Sequence, residues 1–364
     1  MFRTFVIAFC GIALMCSSCR HHSKLLGSKR QVTTAFYHWK TTVALSHEDS
    51  TMLRKTGCKK LYVNFFDVVP YWDTAKFKYP AVPGAHTEDL TDLPKGMEII
   101  PVIYVTNEAI LNMDSVEIPL MAEKICRKLS RFVKWGGIDS IRELQMDCDW
   151  THSSRDKYFY LLKEIKRISQ VPTLSATIRL YQYKYFKKAG VPPVDKGVLM
   201  FYHMNAVRDY DSKELILDVE EGKKYMTSAV YPLHLDYALP LFSEMLVPTY
   251  RWEMGYTSVR GANFFSPKTL DKLLSAHSLE KIDTSMNEYR VTRPIYFDEE
   301  GINLYQGSTV KLEITDKEQL KKAADLLSKY ANSDTFNVIF FHLDRNANST
   351  FTPNEVKDII SRFD

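Results

Sequence analysis

Eight short runs of β-branched and aromatic residues, separated by charged amphipathic stretches or polar loops, constrain this chain more than any other feature. The runs are Ala35–Trp39, Lys60–Phe66, Glu98–Thr106, Glu143–Asp149, Thr173–Leu180, Gly197–His203, Tyr237–Phe242 and Phe336–His342. Period-2 runs of this length predict strands, and the 3.6-residue periodicity between them predicts helices over Glu48–Thr56, Ile118–Val133, Ser154–Ser169 and Lys317–Tyr330. Seven or eight strands joined by helical crossovers predict an α/β fold, a (β/α)8 TIM-like barrel. An open doubly wound sheet is the competing arrangement. No glycine-rich turn follows the first strand, and neither the dinucleotide-binding nor the P-loop pattern occurs.

The alternation fails between about residues 244 and 315, where Tyr250-Arg251-Trp252, Gly255-Tyr256, Tyr296-Phe297 and Tyr305-Gln306-Gly307 fall. This stretch reads as loops and short strands inserted between the seventh and eighth barrel strands. A chain of 364 residues could hold one large barrel or two ordinary domains. With no internal repeat or low-complexity linker, a single barrel domain over 32–364 with that insertion is expected. Hydrophobic residues make up 45% and charged residues 25%, which excludes a disordered tail or a polytopic membrane protein. A formal net charge of +4 with no dense basic stripe argues against a nucleic-acid partner. Aromatic residues reach 13%; most must be core, but such rings also suit stacking on sugars.

The first residues read as an address. Arg3 precedes an apolar run over Phe5–Met15, too short to span a bilayer comfortably, and Cys16-Ser17-Ser18-Cys19 follows. Small residues before a cysteine are what lipoprotein signal peptidase admits. Residues 1–19 are therefore expected to be a lipoprotein signal peptide, with Cys19 as the lipidated residue, in preference to an ordinary cleaved signal. Residues 20–31 form a polar tether. The expected location is the cell envelope, lipid-anchored, most naturally at the outer membrane. The remaining Cys58, Cys126 and Cys148 show no paired or metal-ligand spacing, so neither a disulfide framework nor a zinc site is expected.

The chemistry concentrates at Glu143-Leu144-Gln145-Met146-Asp147-Cys148-Asp149-Trp150. Alternate residues of a strand share a face, so Gln145, Asp147 and Asp149 should point into the barrel and rise to its C-terminal rim. Two carboxylates on one buried face repel each other and lose hydration, which raises one pKa and leaves a proton available. Asp149 and Asp147 are thus the candidate catalytic pair of a glycoside hydrolase, Asp149 as general acid and Asp147 as its tuner. A simpler role for each is a buttress and a helix cap. Other strand ends supply candidate substrate-binding groups: Tyr37 and Trp39, Asp67, Arg179, Tyr202, His342 and Asp344, with Asp236 placed just before the seventh strand. His38, Asn107, Glu108, Gln182, His203 and Asn205 lie nearby in sequence. Carboxylates, amides and aromatics grouped this way suit a polyhydroxylated ligand. A non-catalytic glycan-binding or scaffold role on the same barrel is the alternative.

Asp344-Arg345-Asn346-Ala347-Asn348-Ser349 through Glu355 partly matches a calcium loop. Ser349 replaces the glycine of the sharp turn, and a strand precedes it instead of a helix. The stretch reads as a turn leading into a helix, with no metal and no cofactor expected.

At Phe36-Tyr37-His38-Trp39-Lys40, Lys60 through Asp67, Gln145 through Trp150, Ser175 through Leu180 and Pro192-Pro193-Val194-Asp195, the chain resembles a family of uncharacterised barrel lipoproteins of bacteroidete-type bacteria. That resemblance spans nearly the whole mature chain and implies fold and address, not an activity. A more distant similarity is to chitinase-like glycosidase barrels, whose fourth strand carries D-x-D-x-E. Asp147 and Asp149 match the two aspartates, and Thr151 stands where that family's catalytic glutamate lies.

Overall fold

The computed structural model describes residues 30–71, 81–84, 87, 89–90, 92–203, 216–227, 230–251, 256–265, 267–284, 287–297 and 302–364. Cys19 and Asn205 lie outside the described residues. Eight parallel strands form the barrel: β1 Gln31–His38, β2 Lys60–Pro70, β3 Glu98–Val105, β4 Glu143–Asp147, β5 Thr173–Arg179, β6 Lys196–Met200, β7 His234–Pro240 and β8 Thr335–Phe341. Each pairs with the next, except that β7 pairs with β8 across the insertion, and β8 pairs with β1 to close the ring. The eight runs read from the sequence are these eight strands, and the fold is a (β/α)8 barrel.

The helices follow from their own caps and stripes. His47–Thr56 opens on a capping box in which Asp49 N donates to Ser46 Oγ at 3.0 Å and Asp49 Oδ2 accepts from Ser46 N at 2.9 Å. It stops at Gly57, whose φ of 69° is left-handed. Ile118–Trp135 buries Ile118, Met121, Ala122, Ile125, Cys126 and Leu129, a 3.6-residue stripe turned onto the barrel. Arg155–Ser169 does the same with Tyr158, Leu161, Leu162 and Ile165, and Lys317–Tyr330 with Leu320, Ala323, Ala324 and Leu327.

Side chains that point inward stack in layers. At the N-terminal end, Lys196 Nζ lies 2.6 Å from Asp236 and 2.9 Å from Glu143, while Lys60 lies 3.6 Å from Glu98. Tyr62 and Ser175 hydroxyls donate to Glu143 at 3.3 and 2.7 Å. Burial alone would raise the Asp236 pKa, but the hydrogen bond from His234 and the Lys196 charge outweigh it and hold it at about 2. Above this layer Tyr37 Oη donates to Gln145 Oε1 at 2.7 Å.

Where loops and short strands were expected, five strands build an antiparallel sheet. In order across it these are Tyr256–Phe265, Ser243–Arg251, Thr309–Glu313, Glu288–Val291 and Leu279–Asp283. The sheet has its own apolar cluster, including Met245, Leu273, Val291, Val310 and Leu312. It leaves the barrel just after β7, at the C-terminal rim. Among the described residues, no helix is long and apolar enough to cross a membrane.

Candidate functional site

The C-terminal mouth is floored by aromatic rings. Phe341, the last residue of β8, packs against Trp39 at 5.6 Å between ring centroids, Tyr37 at 5.7 Å, Tyr202 at 5.5 Å and Phe242 at 5.6 Å. These residues come from the ends of three strands, β1, β6 and β8, and from the segment entering the insertion. Tyr37, Tyr202 and Phe242 are buried, while Trp39 and Phe341 stay partly open. Burial, with the nearby Asp147 charge adding to it, pushes the Tyr37 and Tyr202 hydroxyls well above the usual phenol range, so both are neutral donors.

Charge sits beside the rings on β4 and β5. Asp147 is buried, and its Oδ1 accepts from Thr177 Oγ1 at 2.5 Å. Asp149, one step higher and half-exposed, is ion-paired through Oδ1 with Arg179 Nε. Desolvation raises the Asp147 pKa to about 6; Arg179 opposes that shift and the neighbouring Asp149 charge adds to it. For Arg179 burial alone would lower the pKa, but Asp149 and Asp147 overcome this and raise it. The outward residues of β4 behave as expected: Met146 and Cys148 are fully buried, and desolvation raises the Cys148 thiol pKa well above the usual range.

The loop after β4 is tied down without an acid. Trp150 Nε1 donates to Ala189 O at 3.1 Å, and its ring stacks on Tyr158 at 5.4 Å. Gln182 Nε2 donates to Trp150 O at 3.0 Å, so Gln182 clamps this loop to the segment after β5. Thr151 is exposed, and its backbone N–H donates to Ser154 Oγ at 2.9 Å. Ser154 in turn donates to Asn107 at 2.5 Å.

The structure therefore brings Asp147, Asp149, Arg179, Tyr37, Trp39 and Tyr202 together. Asp67, three positions before the end of β2 at Pro70, accepts from Asn64 Nδ2 at 3.1 Å. Three candidates fall elsewhere. Asp236 is the third residue of β7, in the charged layer at the opposite end of the barrel, where Lys196 and Asn337 hold it. His342 follows the inward-facing Phe341 and is buried, with Nε2 3.8 Å from Asp344 Oδ2. The Asp49, Lys40 and His38 side of the barrel wall sets its surroundings, and burial lowers its pKa. Asp344 caps the helix Arg345–Thr350, its Oδ1 accepting from Ala347 N at 2.7 Å. The calcium-like stretch is thus a turn and a helix start, and no metal-binding group of His, Cys, Asp or Glu occurs among the described residues. Phe341 and Phe242 are the mouth residues that the sequence reading passed over.

Neither a protein-family model nor a curated protein sequence matches the chain. Solved structures do. The spore cortex-lytic enzyme SleL of Bacillus cereus superposes with a TM-score of 0.54 at 15% identity, over 93% of this chain and 75% of that one. The chitinase-like agglutinin of Robinia pseudoacacia gives 0.50 at 10% identity, over 91% and 99%. The catalytic domain of chitinase B from Arthrobacter gives 0.50 at 10%, over 91% and 95%. At these identities the likeness is one of fold: a barrel of the chitinase-like architecture.

Proposed function

We propose that the C-terminal mouth of this barrel binds a glycan without hydrolysing it. The observation that carries the reading is the commitment of Asp149 to Arg179, beside an open Trp39–Phe341 ring pair and with Thr151 where a chitinase-type acid would stand. Rings supply apolar faces for sugar C–H groups. Arg179 and the Asp149 carboxylate supply a donor and an acceptor for hydroxyls. A general acid must present a proton to the scissile oxygen, and Arg179 occupies that carboxylate. One of the superposed folds is a chitinase-like agglutinin, so this architecture also carries proteins named for binding.

Hydrolysis by the Asp149 and Asp147 pair is the second reading. It is favoured by the raised Asp147 pKa, which keeps a proton on a buried carboxyl at weakly acidic pH. A glycan array and a reducing-end assay on the purified protein, beside Asp149→Asn, separate the two. Binding by both proteins with no new reducing ends supports recognition. Turnover by the wild type that Asp149→Asn abolishes would establish the hydrolase.

The envelope address belongs to the same proposal: a signal segment over residues 1–19, an anchor at Cys19 and a short tether would hold the barrel at a membrane surface, where polysaccharides meet it. Palmitate labelling in the producing cell, lost in Cys19→Ala, is the expected result; equal labelling of both would remove the anchor.

A further inference from the structure

The helix Ile118–Trp135 carries Lys124, Arg127, Lys128, Arg131 and Lys134 against a single carboxylate, Glu123. Its net charge of +4 equals that of the whole chain. All five cations stand three or four residues from another, so they fall on one face although nothing in the linear sequence looks dense. That face borders a groove of about 620 Å³ lined by Pro83, Lys124, Arg127, Lys128, Arg131, Phe132 and Trp135. No carboxylate lines it among the described residues.

The cations divide by role. Lys128 is structural: its Nζ donates to Pro83 O at 2.9 Å and to Gly84 O, and lies 4.8 Å over the Phe66 ring. Burial, reinforced by the neighbouring Arg131 charge, lowers its pKa. Lys124, Arg127 and Arg131 are exposed, with no ion pair to a carboxylate among the described residues. Trp135 is 45% exposed and stands edge-on to Phe132 at 5.5 Å between centroids. Lys124 to Arg131 spans two turns, about 11 Å, the length of a disaccharide.

We propose that this groove is a second binding site, separate from the mouth, for an acidic polysaccharide that carries carboxylates along its length. Planar guanidinium groups on Arg127 and Arg131 pair carboxylates in a forked geometry, and Trp135 offers a ring face to a sugar between them. The concave shape favours a chain over a flat lipid surface, and a ring set among cations gives a glycan both contacts it needs. The site does not depend on the mouth reading, because no residue is shared.

The test is titration of the purified full-length protein with polygalacturonate fragments at low and moderate salt, beside carboxyl-reduced fragments and vesicles of anionic phosphatidylglycerol. Arg127→Glu with Arg131→Glu is expected to weaken polygalacturonate binding by about tenfold or more. Salt is expected to weaken the wild type, and the reduced fragments are expected not to bind. Trp135→Ala should lose several-fold. Circular dichroism confirms folding of each variant. Unchanged binding in the double variant, absence of binding, or a preference for the vesicles over the glycan would each overturn the proposal.

Discussion

Arg179 reaches across from the end of β5 to hold Asp149, one step above the buried Asp147 on β4, so a single cation serves two stacked carboxylates. Asp149 has the guanidinium, and Asp147 has a threonine hydroxyl and a raised pKa.

Because the Arg179 charge lowers the Asp147 pKa and the Asp149 charge raises it, two substitutions should move it in opposite directions. Arg179→Met is predicted to raise the Asp147 pKa further above 6, and Asp149→Asn to lower it. Carboxyl-carbon NMR titration of Asp147 reads both shifts. Movement in the same direction would mean that the coupling is not chiefly electrostatic.

The Glu244 carboxyl should subtract from stability as pH rises through the weakly acidic range, while the buried His38 and His203, whose pKa values burial lowers to about 4, act with the opposite sign. In the inserted sheet Glu244 lies opposite Glu313, which is itself 2.8 Å from the fully buried Lys311. Burial, with the Glu313 charge adding to it, raises the Glu244 pKa from 4.5 to about 7. A raised carboxyl pKa means that the folded state holds the proton more tightly than the unfolded one. The stabilisation is complete below the unfolded pKa of 4.5 and is lost as pH climbs through about 7. Asp147 contributes with the same sign up to about 6. In urea unfolding, the stability of the wild type relative to Glu244→Gln is expected to fall by an amount on the order of 2 kcal/mol between about pH 5 and pH 8. Parallel profiles for the two proteins would contradict the assignment.

The charged layer at the base of the barrel should matter more to folding than to binding. Lys196→Met leaves Asp236 and Glu143 buried without their shared cation. Removing one partner of a buried ionic cluster costs about 3–5 kcal/mol. The denaturation midpoint should fall accordingly, while affinity at the mouth, measured on the folded fraction, stays unchanged. A change confined to affinity would place the layer in the site.

The barrel was legible because its strands are short, parallel and nearly continuous in apolar residues, with punctuation between them. Strand phase was less so. The sequence places His342 at the end of the last strand as a substrate-binding group, but Phe341 faces the mouth and His342 the helix side; in a period-2 structure a slip of one residue exchanges the faces. Asp236 was placed before its strand because the apolar run begins at Tyr237, whereas pairing with Val198 and the bonds from Asn337 draw β7 back to His234. The inserted sheet escaped for a topological reason. Ser243–Arg251 pairs with Tyr256–Phe265 nearby and with Thr309–Glu313 some 60 residues on, and local pattern says nothing of the second pairing. The basic face of Ile118–Trp135 was hidden because helical spacing disperses its cations along the sequence.

The most direct measurement is calorimetric titration of the strongest array glycan into the wild type, Trp39→Ala and Phe341→Ala, with product analysis of each cell afterwards. Removing a ring on which a flat ligand stacks costs about 1–3 kcal/mol where this is known for bases, and a sugar face on Trp39 or Phe341 is expected to be worth a similar amount. The account predicts at least a tenfold loss of affinity in each variant with folding intact, and intact glycan in every cell. Undiminished affinity in both variants, or cleaved glycan with the wild type, would contradict a recognition site at the mouth of the barrel.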